Sequence, residues 1–183
     1  KRNGYPVQFA CEATLNLAQN KELLEMMREA YFCTVFCGIE TPEKDALKSI
    51  SKQQNLMGNL SILDAIETLN SYGMEVVSGI IIGLDTDTED TSDRILEFIR
   101  LSNIPLLTIN LLYALPKTPL WRRLELEGRL NFDSDRESNV EFLMPYDQVV
   151  DMWRKVITSA YDPDFLYDRF AYNMQHTYPN RIK

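Results

Sequence analysis

The chain has 183 residues, of which 45% are hydrophobic and 25% are charged, and its formal net charge at pH 7 is −8. This composition indicates a globular domain with a sizeable core. The acidic balance argues against nucleic acid or an anionic membrane surface as a partner, because both would repel the chain. No apolar run approaches the roughly 20 residues of a membrane-spanning helix. Three cysteines, an odd number, and no signal peptide predict a reducing cytoplasm.

The predicted elements alternate between short apolar strands and amphipathic helices. Strands are predicted at residues 6–15, 33–39, 76–84 and 106–114. Helices are predicted to start at Asn20, at Thr41–Pro42, at Leu60 and after the acidic loop 85–90, with a short one through Trp121 and two more at residues 149–161 and 165–176. Strands that alternate with helices form a parallel α/β sheet with right-handed crossovers. Because the chain starts without methionine directly before a strand, we expect a piece of a longer protein.

Carboxylates and glycines stand where the predicted strands end. Glu12 lies near the end of the first strand, and Glu40 ends the second strand immediately before a Thr-Pro pair, which is typical of a helix start. The carboxyl ends of parallel strands share one edge, so both residues should meet the turns at Gly83–Asp85 and Ala114–Pro116 there. This predicts a polar ligand site whose glycines let a flat or bulky group approach the backbone. The alternative for Glu40 is a solvated loop acid.

The cysteines and the single histidine do not form a recognisable metal-binding pattern. Cys33 and Cys37 are four residues apart, but cluster ligands come in threes or fours on a loop, whereas these two lie in an apolar strand. We therefore predict core thiols. His176 is the only histidine and lies in the C-terminal part, so no histidine-based metal site or catalytic triad is expected. No metal ligands are assigned within this chain.

The segment Gly79-x-Ile81-x-Gly83 lies inside the third predicted strand. It is not a phosphate-binding loop, because no helix-opening glycine pattern and no Walker lysine accompany it. Two interpretations are equally open. The glycines either allow close helix–sheet packing, or they form a shelf for an aromatic ring with Ile81 as its apolar floor.

Several segments, taken in order, resemble the later part of radical S-adenosylmethionine enzymes. Two others narrow the resemblance to the subgroup with an N-terminal cobalamin-binding domain and a C-terminal helical extension. The order and spacing of the segments carry the resemblance, which covers nearly the whole chain. The first group is Cys11–Thr14, Phe36–Pro42 and Lys52–Asn55, and the narrowing group is Gly79–Thr88 and Ala114–Leu120 with Arg122–Leu124 and Glu127–Leu130.

The resemblance implies a partial (β/α) TIM-like barrel in which residues 1–130 supply four parallel strands with crossover helices, and residues 131–183 form the helical extension. Family members hold a [4Fe–4S] cluster on a Cys-x3-Cys-x2-Cys loop and use it to cleave S-adenosylmethionine to a radical. This sequence has no such loop. The cluster, and cobalamin if present, would be bound by an upstream barrel half and a cobalamin domain of the same protein. This chain alone would be inactive.

The resemblance also implies roles for individual residues. Glu12 and Glu40 should accept hydrogen bonds from the ribose hydroxyls or amino group of S-adenosylmethionine. Lys52 stands where related enzymes place an arginine for the methionine carboxylate. Ile81 and Ala114 should bracket the adenine. The predicted cofactor-binding residues are Glu12, Glu40, Lys52, Gly79, Ile81, Gly83 and Ala114; no catalytic residue is assigned.

The implied function is part of an oxidoreductase or a cobalamin-dependent C-methylase that acts on a small-molecule substrate. Thr86 replaces the acidic residue that often follows the two-glycine motif, which leaves the role of the Asp85 loop open. Two rivals remain. One is a cluster-free (β/α)-barrel lyase or isomerase that uses Glu12 and Glu40 as acid and base. The other is a non-catalytic docking module that binds through the aromatic C-terminal helices.

Overall fold

A four-stranded parallel sheet forms the centre of the molecule. The computed structural model describes residues 4–42 and 60–182. Its strands are β1 (Phe9–Glu12), β2 (Phe32–Glu40), β3 (Glu75–Ile82) and β4 (Leu106–Leu111). They follow one another across the sheet in chain order, and every neighbouring pair is parallel. The predicted α/β class, with parallel strands and helices between them, is confirmed.

The described helices lie between the strands and at the C-terminal end. They are α1 (Lys21–Glu29), α2 (Ile62–Ser71), α3 (Thr91–Ser102), α4 (Pro119–Leu126), α5 (Tyr146–Ala160) and α6 (Pro163–His176). The side chains of Asn20, Ser61, Thr118 and Asp162 accept hydrogen bonds from the first backbone N–H groups of α1, α2, α4 and α6, so local sequence sets these starts. The helix predicted from Thr41–Pro42, and with it Lys52, falls outside the described residues. Within residues 4–42 and 60–182, none of the helices has the length and apolar sequence needed to cross a membrane.

The helices cover one face of the sheet, and alternate strand residues point into that core. Apolar residues of β2, β3 and β4 are buried there against α2, α3 and α5. Cys33 and Cys37 are 3% and 0% exposed, so the prediction of buried core thiols is confirmed. Burial raises the pKa of the Cys37 thiol to about 12, and burial also raises the pKa of Cys33. Both side chains therefore stay protonated at neutral pH.

Three strands are shorter than the sequence predicts. The first covers Phe9–Glu12 rather than residues 6–15, because Leu15–Gln19 forms a 3-10 helix. The third stops at Ile82 instead of residue 84, since Gly83 turns into the left-handed region with φ +102°. The fourth stops at Leu111 instead of residue 114, because the groups that follow it bond to a later loop.

Aromatic side chains from the C-terminal part close the outer edge of β4. The Trp153 indole N–H donates to the Ile109 carbonyl over 3.0 Å. The Tyr161 hydroxyl accepts from the Leu107 N–H at 3.2 Å and donates to the carbonyl of the same residue. Such contacts occupy backbone groups that another strand would otherwise pair with. The sheet therefore ends at β4.

The second face of the sheet is not covered by the helices of the main core, and we call it the open face; at Ile81 it packs against a smaller core that includes Leu124 of α4. Its side chains alternate with the buried ones and are partly or largely exposed, except for the buried Gly79. Parallel sheets are normally covered on both faces. A ligand or a further part of the protein is therefore expected to cover the open face. Its central residues are Phe36, Gly38, Val77, Gly79, Ile81, Leu106, Thr108 and Asn110.

Candidate functional site

Glu40 ends β2 in an unusual backbone conformation. Its φ is +66°, in the left-handed region that non-glycine residues rarely adopt. The Thr41 N–H donates to the Ile39 carbonyl over 2.8 Å, so Glu40 is the central residue of a three-residue turn. Strained positions of this kind concentrate at ligand-binding and active sites. The half-buried carboxylate thus stands at the carboxyl end of a central strand, where the sequence places it.

Glu12 and Glu40 lie on neighbouring strands but at different heights. Glu12 pairs with Phe36, so its side chain belongs to the open face beside that ring. Glu40 stands four residues further along β2, and a strand rises by about 3.3 Å per residue, so the offset is roughly 13 Å. The two carboxylates are therefore not arranged as a close acid–base pair. One elongated ligand on the open face could contact both.

Gly79 and Ile81 both belong to the open face, as neighbours of Thr108 and Asn110 on β4. Gly79 also pairs with Gly38 on β2, so two glycines lie side by side on the central strands. A Cβ at Gly79 would stand 3.1 Å from the Thr108 hydroxyl oxygen and 3.7 Å from Phe36 Cζ. The two glycines form a strip without side chains, which we call the glycine strip, and its floor is backbone. At Gly79 this geometry suits the shelf interpretation better than helix–sheet packing, because the helices of the main core lie on the other face.

Gly83 is not part of that shelf, because an aromatic side chain occupies the space above it. A Cβ at Gly83 would stand 2.5 Å from Cε1 of Phe142. The Phe142 ring stacks on Tyr146 with centroids 5.8 Å apart and planes inclined by 13°. The Gly83 N–H donates to the Asp87 carboxylate over 2.7 Å. The glycine thus serves a turn and close packing, and its predicted contact with a cofactor remains a prediction.

Ala114 is fully buried in a second, smaller core with Leu84, Leu124 and Val140. Its N–H donates to Asn139 Oδ1 over 2.8 Å, and its carbonyl accepts from Asn139 Nδ2 over 2.9 Å. Both peptide groups are therefore used by a loop residue of the same chain. Ile81 packs against this second core, so the structure brings the two residues near each other, and their predicted bracketing of the adenine remains a prediction.

The Asp85 loop is held by two arginines that the sequence reasoning did not single out. Asp85 accepts from Arg129 at 2.6 Å and from Arg123 at 2.8 Å. The hydrogen bond from Arg129 lowers the pKa of this carboxyl below its ordinary value, and Arg123 adds to the effect. Arg129 also donates to the Glu141 carbonyl over 2.8 Å. Asp85 thus anchors the turn after β3 to α4 and to the loop before α5. The available signal was that both arginines belong to segments that carry the family resemblance.

The described site contains acceptors and apolar surface rather than metal ligands. Among residues 4–42 and 60–182, no three His, Cys, Asp or Glu side chains lie close enough to hold a metal ion. The carboxylates of Glu12 and Glu40 can accept hydrogen bonds, and the glycine strip with Ile81 can receive a flat or bulky group. The chain is thereby suited to bind and orient a ligand. Lys52 lies outside the described residues.

Comparison with known proteins relates the chain to methylating enzymes. Residues 118–183 match a family described as a domain of unknown function, DUF4070. The whole chain is 58% identical over 182 residues to the hopanoid C-2 methylase of Rhodopseudomonas palustris, of which it covers 34%. An uncharacterized methyltransferase of Synechocystis is 36% identical over 171 residues, which are 90% of this chain and 32% of that protein.

A more distant relative is the bacteriochlorophyllide d C-12(1)-methyltransferase of Chlorobaculum tepidum. It is 23% identical over 137 residues, which are 75% of this chain and 29% of the relative. The chain therefore spans about a third of the length of the curated relatives that it matches. It is homologous to part of these methyltransferases.

Proposed function

We propose that the chain is part of a cobalamin-dependent radical S-adenosylmethionine methylase, in which it supplies binding surface for S-adenosylmethionine and for the substrate. Three relatives with methylating activity in their names support the methylase class. The radical class rests on the sequence segments from Cys11–Thr14 to Glu127–Leu130 that resemble this family.

One observation carries the binding role: the glycine strip adjoins a strand that ends in the strained residue Glu40. The residues present fit a flat group, because a Cβ at Gly79 would fill the space beside Thr108 and Phe36. Glu40 and Glu12 would accept hydrogen bonds from hydroxyl or amino groups of the cofactor. Ile81 would provide apolar contact for its ring. When bound, S-adenosylmethionine and its partner cofactors supply the radical chemistry and the methyl group, and this chain orients them.

The [4Fe–4S] cluster and cobalamin do not fit the donors that the structure describes here. Cys33 and Cys37 are buried thiols whose pKa is raised, and they face the core rather than a loop. We therefore assign both groups to the remaining two thirds of the longer protein. Lys52 keeps its proposed role as a partner for the methionine carboxylate.

We propose a hopanoid as the substrate of the whole protein. The identity of 58% to the Rhodopseudomonas hopanoid C-2 methylase extends over the whole chain. A hopanoid skeleton is a bulky, rigid hydrocarbon, and the central residues of the open face carry no charge. Burying hydrocarbon against such a surface is favourable at roughly 25 cal/mol per Å².

The test is Glu40→Gln in the full-length protein, with Glu67→Gln on the exposed side of α2 as the matched control. A neutral acceptor of the same size replaces a charged one, so we expect S-adenosylmethionine binding to weaken by about 1–2 kcal/mol. Methyl transfer at saturating cofactor should be slowed but measurable. The control should bind and react like the unmodified protein, because Glu67 points to solvent.

Two outcomes would contradict the proposal. If the unmodified full-length protein does not bind S-adenosylmethionine, the cofactor assignment is wrong. If Glu40→Gln binds the cofactor normally while kcat falls by roughly 10²–10⁴, Glu40 is a general base, as the lyase or isomerase rival requires. Measuring the cofactor Kd and kcat on the same preparations separates these results.

A further inference from the structure

The chemistry of the open face changes from one strand to the next. On β2 and β3 its central residues are apolar or glycine. On β4, Thr108 and Asn110 face the same way, and Leu106 precedes them at 42% exposure. The glycine strip therefore has an apolar surface on one side and two neutral polar side chains on the other.

Thr108 and Asn110 are exposed, and neither side chain makes a hydrogen bond within the part of the chain that the structure describes. Both groups can donate and accept hydrogen bonds, and both are uncharged. Thr108 lies directly beside Gly79, and its hydroxyl oxygen would be 3.1 Å from a Cβ at that position. A substrate lying along β4 next to the glycine strip would thus meet this hydroxyl.

The charges around the open face further restrict the chemical class of ligand that it can bind. No Lys or Arg belongs to the described central residues of the open face, and the only charged groups that the described strands contribute to it are carboxylates, namely Glu12, Glu40 and Glu75. Within residues 4–42 and 60–182, a phosphate or carboxylate on the ligand would meet no cationic side chain among the open-face residues of β3 and β4. A hydroxyl or carbonyl would find matching donors and acceptors.

We propose that Thr108 and Asn110 are specificity-determining residues that bind a neutral oxygen group of an otherwise apolar substrate lying along β4, beside the cofactor held on the glycine strip. This inference rests on the proposed function and adds to it the residues that recognise the substrate. Leu106 and Val77 contact the hydrocarbon part, and the two polar side chains hold one hydroxyl. The β4 side chains thereby favour hydroxylated over purely hydrocarbon substrates of the same shape.

The experiment uses the full-length protein and two hopanoids with the same ring skeleton, diploptene, which lacks a hydroxyl, and diplopterol, which has one. Thr108→Val removes the hydroxyl at constant size, and Asn110→Leu removes the amide. Each should raise the KM for diplopterol roughly 3- to 10-fold, the effect of one neutral hydrogen bond, and leave diploptene unchanged. Thr108→Ser should restore the wild-type value. The matched control, Thr68→Val on the partly exposed side of α2, whose hydroxyl bonds only to the Asp64 carbonyl of its own helix, should change neither substrate.

The outcomes are distinct from those that test the proposed function. If both variants change the two hopanoids equally, or change neither, the side chains do not read an oxygen group and the inference is overturned. A protein that binds S-adenosylmethionine but neither hopanoid overturns the inference and the substrate class while leaving the cofactor assignment standing. A protein that does not bind S-adenosylmethionine fails the proposed function itself. Melting temperatures of all variants confirm folding, since Thr108 and Asn110 are exposed.

Discussion

The two edges of the sheet differ sharply in how their backbone groups are used. On β4, side chains of Trp153 and Tyr161 occupy the outer N–H and C=O groups. On β1, no described side chain bonds to the outer backbone, and Phe9 is 47% exposed. A free strand edge readily pairs with another strand, whereas an occupied edge cannot. A longer protein can therefore extend this sheet beside β1 but not beside β4.

The largest expected effect comes from opening the closed edge. Trp153→Ala removes a partly buried ring and leaves the Ile109 carbonyl without its donor, so the free energy of unfolding should fall by about 3 kcal/mol. Trp153→Phe keeps most of the ring and should lose only about 1 kcal/mol. Urea unfolding followed by circular dichroism measures both. Equal losses for the two variants would show that the indole N–H, and not packing, dominates.

The ion pairs of Asp85 with Arg123 and Arg129 hold the turn after β3 in place. Their contribution to the stability of the fold should depend on pH. Asp85→Asn should cost about 1.5–3 kcal/mol at neutral pH, since hydrogen bonds to a charged group are lost. The folded-state pKa of Asp85 lies below its ordinary 3.8, so its stabilisation is present above that pH and disappears as the pH falls through the folded value. The difference in urea midpoint between the two proteins should be smaller at pH 3 than at pH 7. A constant difference would contradict the assigned ion pair.

A smaller effect is expected from the hydroxyl that contacts both backbone groups of Leu107. Tyr161→Phe should lower the free energy of unfolding by about 1 kcal/mol, because the ring stays in place. Tyr167→Phe is the matched control, since Tyr167 on α6 is 71% exposed, and it should have no effect. Hydrogen exchange at the Leu107 amide should accelerate only in the first variant. Unchanged exchange there would mean that the hydroxyl does not close the edge.

The smallest effect concerns the cysteine thiols. Their labelling rates report how accessible the edge strand β1 is, and the measurement does not alter stability. Cys11 on β1 is partly exposed, whereas Cys33 and Cys37 are buried. Burial raises the pKa of all three, so labelling at neutral pH should be slow, and Cys11 should react first. Mass spectrometry of the native chain should show one modified cysteine, which Cys11→Ser abolishes. Earlier labelling of Cys37 would contradict the described core.

The positions and the parallel arrangement of the strands followed from local patterns, whereas the site was only partly predictable. Apolar runs at 33–39 and 76–84 gave correct strands because a buried parallel strand is apolar throughout. The surroundings of Gly83 and Ala114 were harder to predict, because the residues that contact them, Phe142 and Asn139, belong to a loop much later in the chain. No local pattern reports such contacts. The left-handed backbone conformation of Glu40 could not be predicted from the sequence either, because a non-glycine residue rarely adopts a positive φ.

The bond between Asp85 and Arg129 has a practical meaning for building hybrid enzymes. The match to DUF4070 begins at residue 118, yet Asp85, Leu112 and Ala114 bond to Arg129, Ser138 and Asn139 across that point. Exchanging residues 118–183 alone between two methylases would pair one parent's turns with the other parent's loop. Chimeras should therefore be cut before β3, so that the segment from Glu75 onward is inherited from one parent as a unit.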